Sequence, residues 1–193
     1  MTIQRCGWCS NDPLYMAYHD HEWGHPLHDE QLLFELLCLE GQQAGLAWIT
    51  VLKKRDAYRQ HFFQHSIECI ANMSDTTLEE KLQDPQLIRH HGKLNAIRHN
   101  AQAWLALKKQ NIDVVAWLWS FVSTLPLNND IAHYKAAPVQ TEASQQMSKQ
   151  LKKHGFKFVG PTICYAFMQA AGMVDDHENH CHCKTPIQSS NKS

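Results

Sequence analysis

Apolar residues recur along the chain at the three- and four-residue spacing that is typical of amphipathic helices. This pattern predicts helices over 29–40, 46–63, 93–110, 114–122, 142–153 and 161–171, with Asp113 as the cap of the fourth. Two shorter helices are expected after Ser66 and Ser74, which are typical N-cap residues. Residues 1–28 and 124–141 show no steady period and are expected to be irregular connections. No segment alternates in the manner of a strand, so we predict an all-α fold.

A single acid stands at the end of the first of these long apolar patterns. Glu40 follows a run of leucine and phenylalanine residues between Leu32 and Leu39, where side chains are expected to be buried. A buried carboxylate is costly unless a polar or cationic group meets it. Glu40 is therefore either a capping residue at a helix end or an acid that awaits a ligand. The glycines, glutamines and tryptophan of 41–48 predict a turn that approaches something flat and polar.

The segment 151–162 has the layout of two helices joined by a tight hairpin. Gly155 is placed for the left-handed C-cap of the first helix, and Pro161 for the first turn of the second. The free N–H groups at the start of that second helix, with Lys157 nearby, would suit a phosphate. An ordinary pair of helices with solvated lysines would have the same pattern.

Cysteine and histidine residues cluster near both ends of the chain. They are Cys6, Cys9, His19 and His21 on one side and His177, His180, Cys181, His182 and Cys183 on the other. Thiolates and imidazoles are the ligands of a tetrahedral zinc site, and four protein ligands leave no open position for catalysis. We therefore expect one structural zinc that joins the two ends, the alternative being coincidental enrichment. Spacing alone does not choose the ligands, since Cys6, Cys9, Cys181 and Cys183 would be an equally acceptable set.

Composition narrows the class of protein further. The chain has 193 residues, of which 44% are hydrophobic and 19% charged, as is typical of a folded globular protein. The formal net charge of -1 argues against a generally polybasic surface, so any contact with nucleic acid must come from a local patch. No leader is recognisable, and no apolar run approaches the roughly 18 residues that would span a bilayer. We expect a soluble, cytoplasmic protein without membrane contact.

Several longer motifs carry a specific resemblance. They are Arg5-Cys6-Gly7-Trp8, Asp12-Pro13-Leu14-Tyr15, Tyr18-His19-Asp20-x-Glu22-Trp23-Gly24, Leu39-Glu40-Gly41-Gln42-Gln43-Ala44-Gly45-Leu46-x-Trp48-Ile49-Thr50-Val51-Leu52, Trp119-Ser120-Phe121-Val122 and Gly155-Phe156-Lys157-Phe158-Val159-Gly160. With these motifs the chain closely resembles the bacterial DNA-3-methyladenine glycosylase I family, an outlying branch of the helix-hairpin-helix DNA glycosylases. The resemblance runs from Arg5 to about Cys183.

The resemblance implies a base excision repair enzyme that flips 3-methyladenine out of alkylated double-stranded DNA and hydrolyses its glycosidic bond. It implies one glycosylase unit over 1–184, with the base pocket between two helical lobes, and a flexible tail over 185–193. A structural zinc would staple 6–19 to 177–181. The ligands that the family implies are Cys6, His19, His177 and Cys181, which leaves Cys9 and Cys183 as spare thiols. The enzyme is expected to be a monomer.

The resemblance also assigns roles around the base pocket. The catalytic pocket residues would be Glu40, Tyr18 and Trp48, and the surrounding substrate-binding wall would include Tyr15 and Trp23. The DNA-binding residues would be Gln43, Gly45 and Leu46, which enter the duplex where the base has left, and Gly155, Lys157 and Gly160 of the hairpin. Adenine methylated at N3 is a cation, so aromatic rings and a nearby carboxylate would favour it over neutral adenine.

Two departures from the wider superfamily matter. Members that also cleave the DNA backbone through a Schiff base place a lysine just after the second hairpin glycine, where this chain has Pro161 and Thr162. We therefore predict a hydrolase without lyase activity. Asp175 and Asp176 lie where most members carry a catalytic aspartate, but this branch resembles a version without it, so neither is assigned.

Two other classes of protein remain as alternatives. A zinc-stapled helical module could bind DNA or another protein without catalysis, although a pure binder has no need of a buried acid. A zinc-dependent hydrolase would need an open coordination position on the metal.

Overall fold

The computed structural model describes residues 3–122 and 127–186, and within these ranges the chain is mostly helical. Its helices are α1 (Pro13–His21), α2 (Glu30–Gln43), α3 (Trp48–Leu52), α4 (Arg55–Tyr58), α5 (Ile67–Ala71), α6 (Asp75–Leu82), α7 (His91–Lys109), α8 (Val114–Trp119), α9 (Glu142–Lys153) and α10 (Pro161–Ala170). A π-helical turn (Arg59–Phe63) continues α4, and a 3-10 turn (Tyr134–Ala136) precedes α9. Two short strands, β1 (Leu127–Asn128) and β2 (Val174–Asp175), pair in parallel.

Side-chain caps begin several helices at the positions that the sequence predicts. The hydroxyl oxygens of Ser66 and Ser74 accept hydrogen bonds from backbone N–H groups three residues further on, at 3.2 and 3.0 Å. Asp113 caps α8 in the same way, at 3.0 Å. The helix predicted over 142–153 is confirmed with both of its bounds unchanged.

Several expectations about secondary structure were wrong. Residues 1–28 are not irregular throughout, because Asp12 caps α1 and Pro13 occupies its first position, where a missing N–H costs nothing. The helix expected to end at Glu40 continues to Gln43, so Gly41 lies in the helix and not in the predicted turn. The continuous helix predicted over 46–63 is divided into α3, α4 and the π-helical turn. The β1–β2 pair is too short to produce an alternating pattern.

Helix α2 lies at the centre of the packing and contacts α3, α7, α8 and α10. Phe34 of α2 has no solvent exposure and meets Trp104 of α7 edge-on, with ring centroids 5.5 Å apart. The indole N–H of Trp104 donates to Glu30 in the first turn of α2, at 2.8 Å. Because α2 is held from several sides, the residues at its C-terminal end are fixed in place.

The segment after β2 returns to the rest of the fold. Thr185, the first residue of the predicted tail, donates its N–H to Asp175 at 3.0 Å. Residues 187–193 of that tail lie outside the described ranges, as do residues 123–126 in and beside the predicted long connection. In the part of the chain that the structure describes, no helix has both the length and the apolar character to cross a bilayer.

Candidate active site

A cleft of about 320 Å³ opens beside the C-terminal half of α2. It is lined by residues from the N-terminal segment, α2, α3, the segment after β1, α10 and the segment after β2. These are Trp8, Tyr15, Tyr18, Trp23, Glu40, Gln43, Trp48, Tyr134, Ala137, Pro138, Val139, Thr162, Tyr165, Ala166, Gln169 and Asp176. The structure therefore brings together six residues that the sequence singled out: Tyr15, Tyr18, Trp23, Glu40, Gln43 and Trp48.

Glu40 is the unusual side chain of this cleft. It is 3% exposed, and its Oε2 atom has no hydrogen-bond partner among the described residues. Burial alone raises the pKa of its carboxyl to about 8, because no arginine or lysine of the described ranges is paired with it. A buried acceptor without a partner is costly, so this arrangement favours a ligand that brings a donor and a positive charge.

A second carboxylate of the same cleft, Asp176, has the opposite surroundings. It accepts hydrogen bonds from the hydroxyl of Tyr165 at 2.7 Å, from the amide of Gln169 at 2.8 Å and from the amide of Asn129 at 2.6 Å. The protein itself therefore satisfies Asp176, and nothing in its surroundings calls for a ligand.

Aromatic rings make up much of the remaining wall. The rings of Tyr18 and Trp48 have centroids 5.5 Å apart, and Trp8 contacts both Tyr15 and Trp23, at 5.1 and 5.0 Å. The indole N–H of Trp48 is buried without a partner among the described residues. The wall thus offers π-faces that attract a cation and one donor for an acceptor of the ligand.

Part of this wall was not predicted from the sequence. Thr162, Tyr165, Ala166 and Gln169 lie on one face of α10 at helical spacing, and polar residues on an otherwise apolar helix were a signal for them. Residues 134–139 come from a segment without periodicity, and no pattern marked them. Trp8 was recognised only as part of a motif, although it contacts two predicted wall residues.

Helix α2 ends in a tight turn that carries three predicted DNA-binding residues. The N–H of Leu46 donates to the carbonyl of Gln43 at 2.6 Å, and Gly45 between them has a φ of +78°, which favours glycine. Gln43 faces the cleft, whereas Leu46 is 39% exposed. The turn therefore presents an apolar side chain to solvent next to the cleft.

The hairpin between α9 and α10 carries the other three predicted DNA-binding residues. Gly155 has a φ of +91°, and its N–H and that of Phe156 donate to carbonyls in the last turn of α9, at 3.0 and 3.1 Å, as in a Schellman C-cap. The side chain of Lys157 is exposed, and its backbone N–H donates to Asn100 at 2.8 Å. Gly160 caps α10, whose first residue is a proline, as expected. These contacts fix the backbone and leave the lysine side chain exposed.

The hairpin contacts α2 directly at Gly41. A Cβ atom at this position would lie 3.2 Å from the Cβ atom of Phe158 and 3.3 Å from its carbonyl oxygen. Phe158 itself has a φ of +55°, which is uncommon for a residue other than glycine. The close approach of the hairpin therefore depends on the absence of a side chain at Gly41, one residue from Glu40.

The predicted metal ligands lie close to one another. Cys6, His19 and Cys181 are buried, and their candidate ligand atoms lie within 4.8 Å of one another. His177 forms a second such group with Cys181 and Cys183, and its Nε2 atom is buried without a partner among the described residues. Thiols and imidazoles in one buried place are the donors that zinc prefers.

Carboxylates hold both imidazoles from the opposite nitrogen. Asp20 lies 2.8 Å from Nδ1 of His19, and Asp175 lies 2.9 Å from Nδ1 of His177. Such contacts orient the Nε2 atoms for a metal. Hydrogen bonds from Cys6 and then His19 lower the pKa of the Cys181 thiol, which favours the thiolate that metals bind. The described residues thus include a donor set that fits zinc.

Comparison with known proteins agrees with the resemblance that the motifs indicated. A family model described as methyladenine glycosylase matches residues 8–184. The chain is 51% identical over 181 residues to the DNA-3-methyladenine glycosylase of Haemophilus influenzae, a match that covers 94% of this chain and 98% of that protein.

Two solved structures are also similar. A crystal structure of a 3-methyladenine DNA glycosylase I matches with a TM-score of 0.92 and 52% sequence identity. The match covers 94% of this chain and 100% of the crystallised chain. The 3-methyladenine DNA glycosylase I from Staphylococcus aureus, solved to show the structural basis of 3-methyladenine recognition, has a TM-score of 0.90 at 36% identity, over 96% of this chain and 99% of its own. The chain belongs to the methyladenine glycosylase family.

Proposed function

We propose that this protein is a monofunctional DNA glycosylase that removes 3-methyladenine from alkylated DNA in base excision repair. The observation that carries the proposal is the Oε2 atom of Glu40, which is buried in an aromatic cleft and has no partner in the part of the chain that the structure describes. A cationic purine would supply the donor and the charge that this atom lacks. A module that only binds DNA or protein would have no use for such an acid. The names and substrates of the similar proteins support the same reading.

Cleavage of this glycosidic bond requires the protein mainly to select the cationic base and to orient it. Methylation at N3 gives the base a positive charge, so the base leaves without receiving a proton. The C1′–N9 bond breaks, its electron pair neutralises the departing base, and water adds to C1′ with loss of a proton. Tyr18 and Trp48 would stack against the cationic ring, and Glu40 would accept from its exocyclic amine. Neutral adenine gains less from the carboxylate, so charge provides the discrimination.

The protonation of Glu40 would be coupled to capture of the base. With a pKa of about 8, its carboxyl is mostly protonated at neutral pH in the empty cleft. A cation within contact distance favours the ionised form, so entry of the base would release this proton. A charged base therefore gains the attraction of an ionised Glu40 carboxylate, whereas a neutral base does not.

DNA would be held at two places outside the cleft. The N–H groups at the start of α10, together with Lys157, would make the α9–α10 pair a helix-hairpin-helix grip on the DNA backbone. The Gln43–Leu46 turn would fill the space that the flipped nucleotide leaves. Flipping costs a few kcal/mol of stacking and pairing, which the backbone contacts partly offset.

We propose that no lyase step follows base removal. The residues that line the cleft include no lysine in the described ranges, and Pro161 and Thr162 follow the second hairpin glycine. A Schiff base with the sugar needs such an amine. The product would be an abasic site in an intact strand.

The test is to incubate the protein with methylated duplex DNA and to separate the released bases by chromatography. We expect free 3-methyladenine, and a gel of the same DNA should show no strand breaks before alkali treatment. Absence of released base would contradict the glycosylase and favour a binding module. Release together with strand cleavage would contradict only the absence of lyase activity.

We also propose one structural zinc with Cys6, His19, His177 and Cys181 as its ligands. The buried Nε2 atom of His177 and the oriented ring of His19 support this set. Four protein ligands would close the coordination shell, so the metal would stabilise the fold and take no part in the reaction. Its position would clamp the N-terminal aromatic segment, which carries Trp8, to the C-terminal segment.

The zinc proposal predicts the metal content and stability of two matched variants. Purified protein should contain one zinc per chain, and Cys181→Ser should lose it and at least about 3 kcal/mol of unfolding free energy. Cys69→Ser should keep both, because Cys69 is exposed and belongs to no candidate group of the described residues. Metal analysis and denaturant unfolding would decide. Full zinc content in Cys181→Ser would contradict the ligand set.

We propose finally that residues 1–184 act as one unit, with the cleft between two helical lobes, and as a monomer in the bacterial cytoplasm. The cleft is built from N-terminal, central and C-terminal segments of a single chain, which supports this organisation. Light scattering of the protein alone and with duplex DNA would test the monomer. A dimer that persists at low concentration would contradict it.

A further inference from the structure

Lys93 is a buried cation that the proposed chemistry does not use. It lies in the first turn of α7 and is 6% exposed. Its ammonium donates to the carbonyls of Gln42 and Ala44, at 2.7 Å each. Gln42 is in the last turn of α2 and Ala44 is its C-cap, so the lysine satisfies carbonyls that a helix end leaves without partners. Its charge also complements the negative end of the helix dipole.

Gln42 returns this contact. Its side chain is buried, and its amide donates to the carbonyl of Lys93 at 2.9 Å. The amide oxygen accepts from the hydroxyl of Tyr58 at 3.0 Å. We call Lys93, Gln42 and Tyr58 the clasp. The clasp joins the end of α2 to the start of α7 through side chains that are shielded from water.

The clasp supports the Gln43–Leu46 turn from behind. On its outer side the turn is open, since no atom of the described ranges lies within 4 Å of the position that a Cβ atom of Gly45 would occupy. On its inner side, the carbonyl of Ala44 inside the turn is fixed by Lys93. The position of the turn relative to Glu40 therefore depends on the clasp.

Two other roles for Lys93 do not fit the geometry. The side chain does not line the cleft, and two carbonyls engage its ammonium, so it is not placed to act as a nucleophile. Lys93 also does not act as a counter-ion to Glu40, because its ammonium is held by two carbonyls and Oε2 of Glu40 has no partner among the described residues. Control of the turn is the role that remains.

We propose that Lys93 is a positioning residue that holds the Gln43–Leu46 turn in place for entry into the duplex. The inference rests on the proposed function, in which this turn fills the space of the flipped nucleotide. A turn that is already ordered loses little further conformational freedom when it enters DNA. Loss of the clasp should therefore impair excision from a duplex while the cleft still captures a free base.

The test begins with Lys93→Met, which keeps the length of the side chain and removes its donors. We expect kcat/KM for excision from methylated duplex DNA to fall at least about tenfold, while the affinity for free 3-methyladenine changes less than about twofold. Tryptophan fluorescence reports the second quantity. Lys108→Met is the matched control, since Lys108 lies on the same helix in an exposed ion pair with Glu30 and should change neither.

A double-mutant cycle with Leu46→Ala separates positioning from a general loss of stability. If Lys93 acts through the turn, Lys93→Met should lower excision much less in the Leu46→Ala background than in the wild type. Additive losses, an equal loss of free-base affinity, or unchanged excision would each overturn the inference.

Tyr58→Phe provides a milder second variant, because it removes only one hydroxyl from the clasp. We expect a smaller loss of the same kind, and this variant decides the question if Lys93→Met does not fold. An inactive wild-type protein would overturn the proposed function and the inference with it. An active wild type with unchanged clasp variants would overturn the inference alone.

Discussion

Glu40 and Asp176 are carboxylates of one cleft, each 3% exposed, with opposite surroundings. Three side-chain donors satisfy Asp176, whereas Oε2 of Glu40 meets none among the described residues. Burial is therefore the same for both acids, and the supply of hydrogen-bond donors is what differs. The comparison teaches that a buried carboxylate whose hydrogen bonds the protein supplies stabilises the fold, whereas one that lacks a donor is available to bind a ligand.

For these two acids, the largest expected effect is on stability, at Asp176. Replacement by alanine would leave the buried hydroxyl of Tyr165 and the half-buried amides of Gln169 and Asn129 without their acceptor. We expect Asp176→Ala to lower the unfolding free energy by about 3 kcal/mol. Urea denaturation would measure it. A loss within experimental error would show that these hydrogen bonds do not hold the wall, and the contrast with Glu40 would fail.

The next effect is on catalysis, at Glu40. Glu40→Gln keeps the shape of the side chain and removes the charge that a cationic base requires. We expect kcat/KM for excision of 3-methyladenine to fall about 100-fold, equivalent to about 2.7 kcal/mol. Affinity for undamaged DNA, measured by fluorescence anisotropy, should be nearly unchanged. Equal losses of excision and of undamaged binding would mean that Glu40 is structural after all.

The smallest effect is the pH dependence that Glu40 gives to the wild type. Because the folded-state pKa of about 8 lies above the ordinary value of 4.5, the folded protein holds this proton while the unfolded chain has released it. Stability should therefore fall as pH rises from 7 to 8, by about 1 kcal/mol. Unfolding of the wild type and Glu40→Gln across this range would show it. Parallel curves for the two proteins would contradict the raised pKa.

Much of the fold could be predicted because its helix ends are encoded locally. Ser66, Ser74 and Asp113 are caps whose side chains act on their own helices, and Gly155 needs only a conformation that glycine adopts easily. The division of 46–63 was not predictable, because no glycine or proline marks it. Lys54, at the break, donates to the distant carbonyl of Pro85 at 2.7 Å, and such a contact leaves no periodic trace.

The site was predictable as far as its residues stand out chemically. Glu40 was conspicuous because an acid is rare on a buried face, and its aromatic neighbours lay in recognisable motifs. That Glu40 has no counter-ion among residues 3–122 and 127–186 was not predictable, since it depends on where the arginines and lysines lie in the folded chain. Tyr134 and Val139 reach the cleft from an aperiodic segment, and only the tertiary structure places them there.

The lack of a side chain at Gly41 bears on which nucleotide of a bound strand can reach the cleft. Phe158 rests on it without an intervening side chain, so the hairpin and the acid one residue away belong to the same rigid piece of packing. If the hairpin holds a strand, the span from the held phosphate to the acid is set by the fold and not by a flexible link. Only the nucleotide at one fixed distance along the strand from the held phosphate can then place its base against Glu40. The bases of the neighbouring nucleotides lie too near to that phosphate or too far from it.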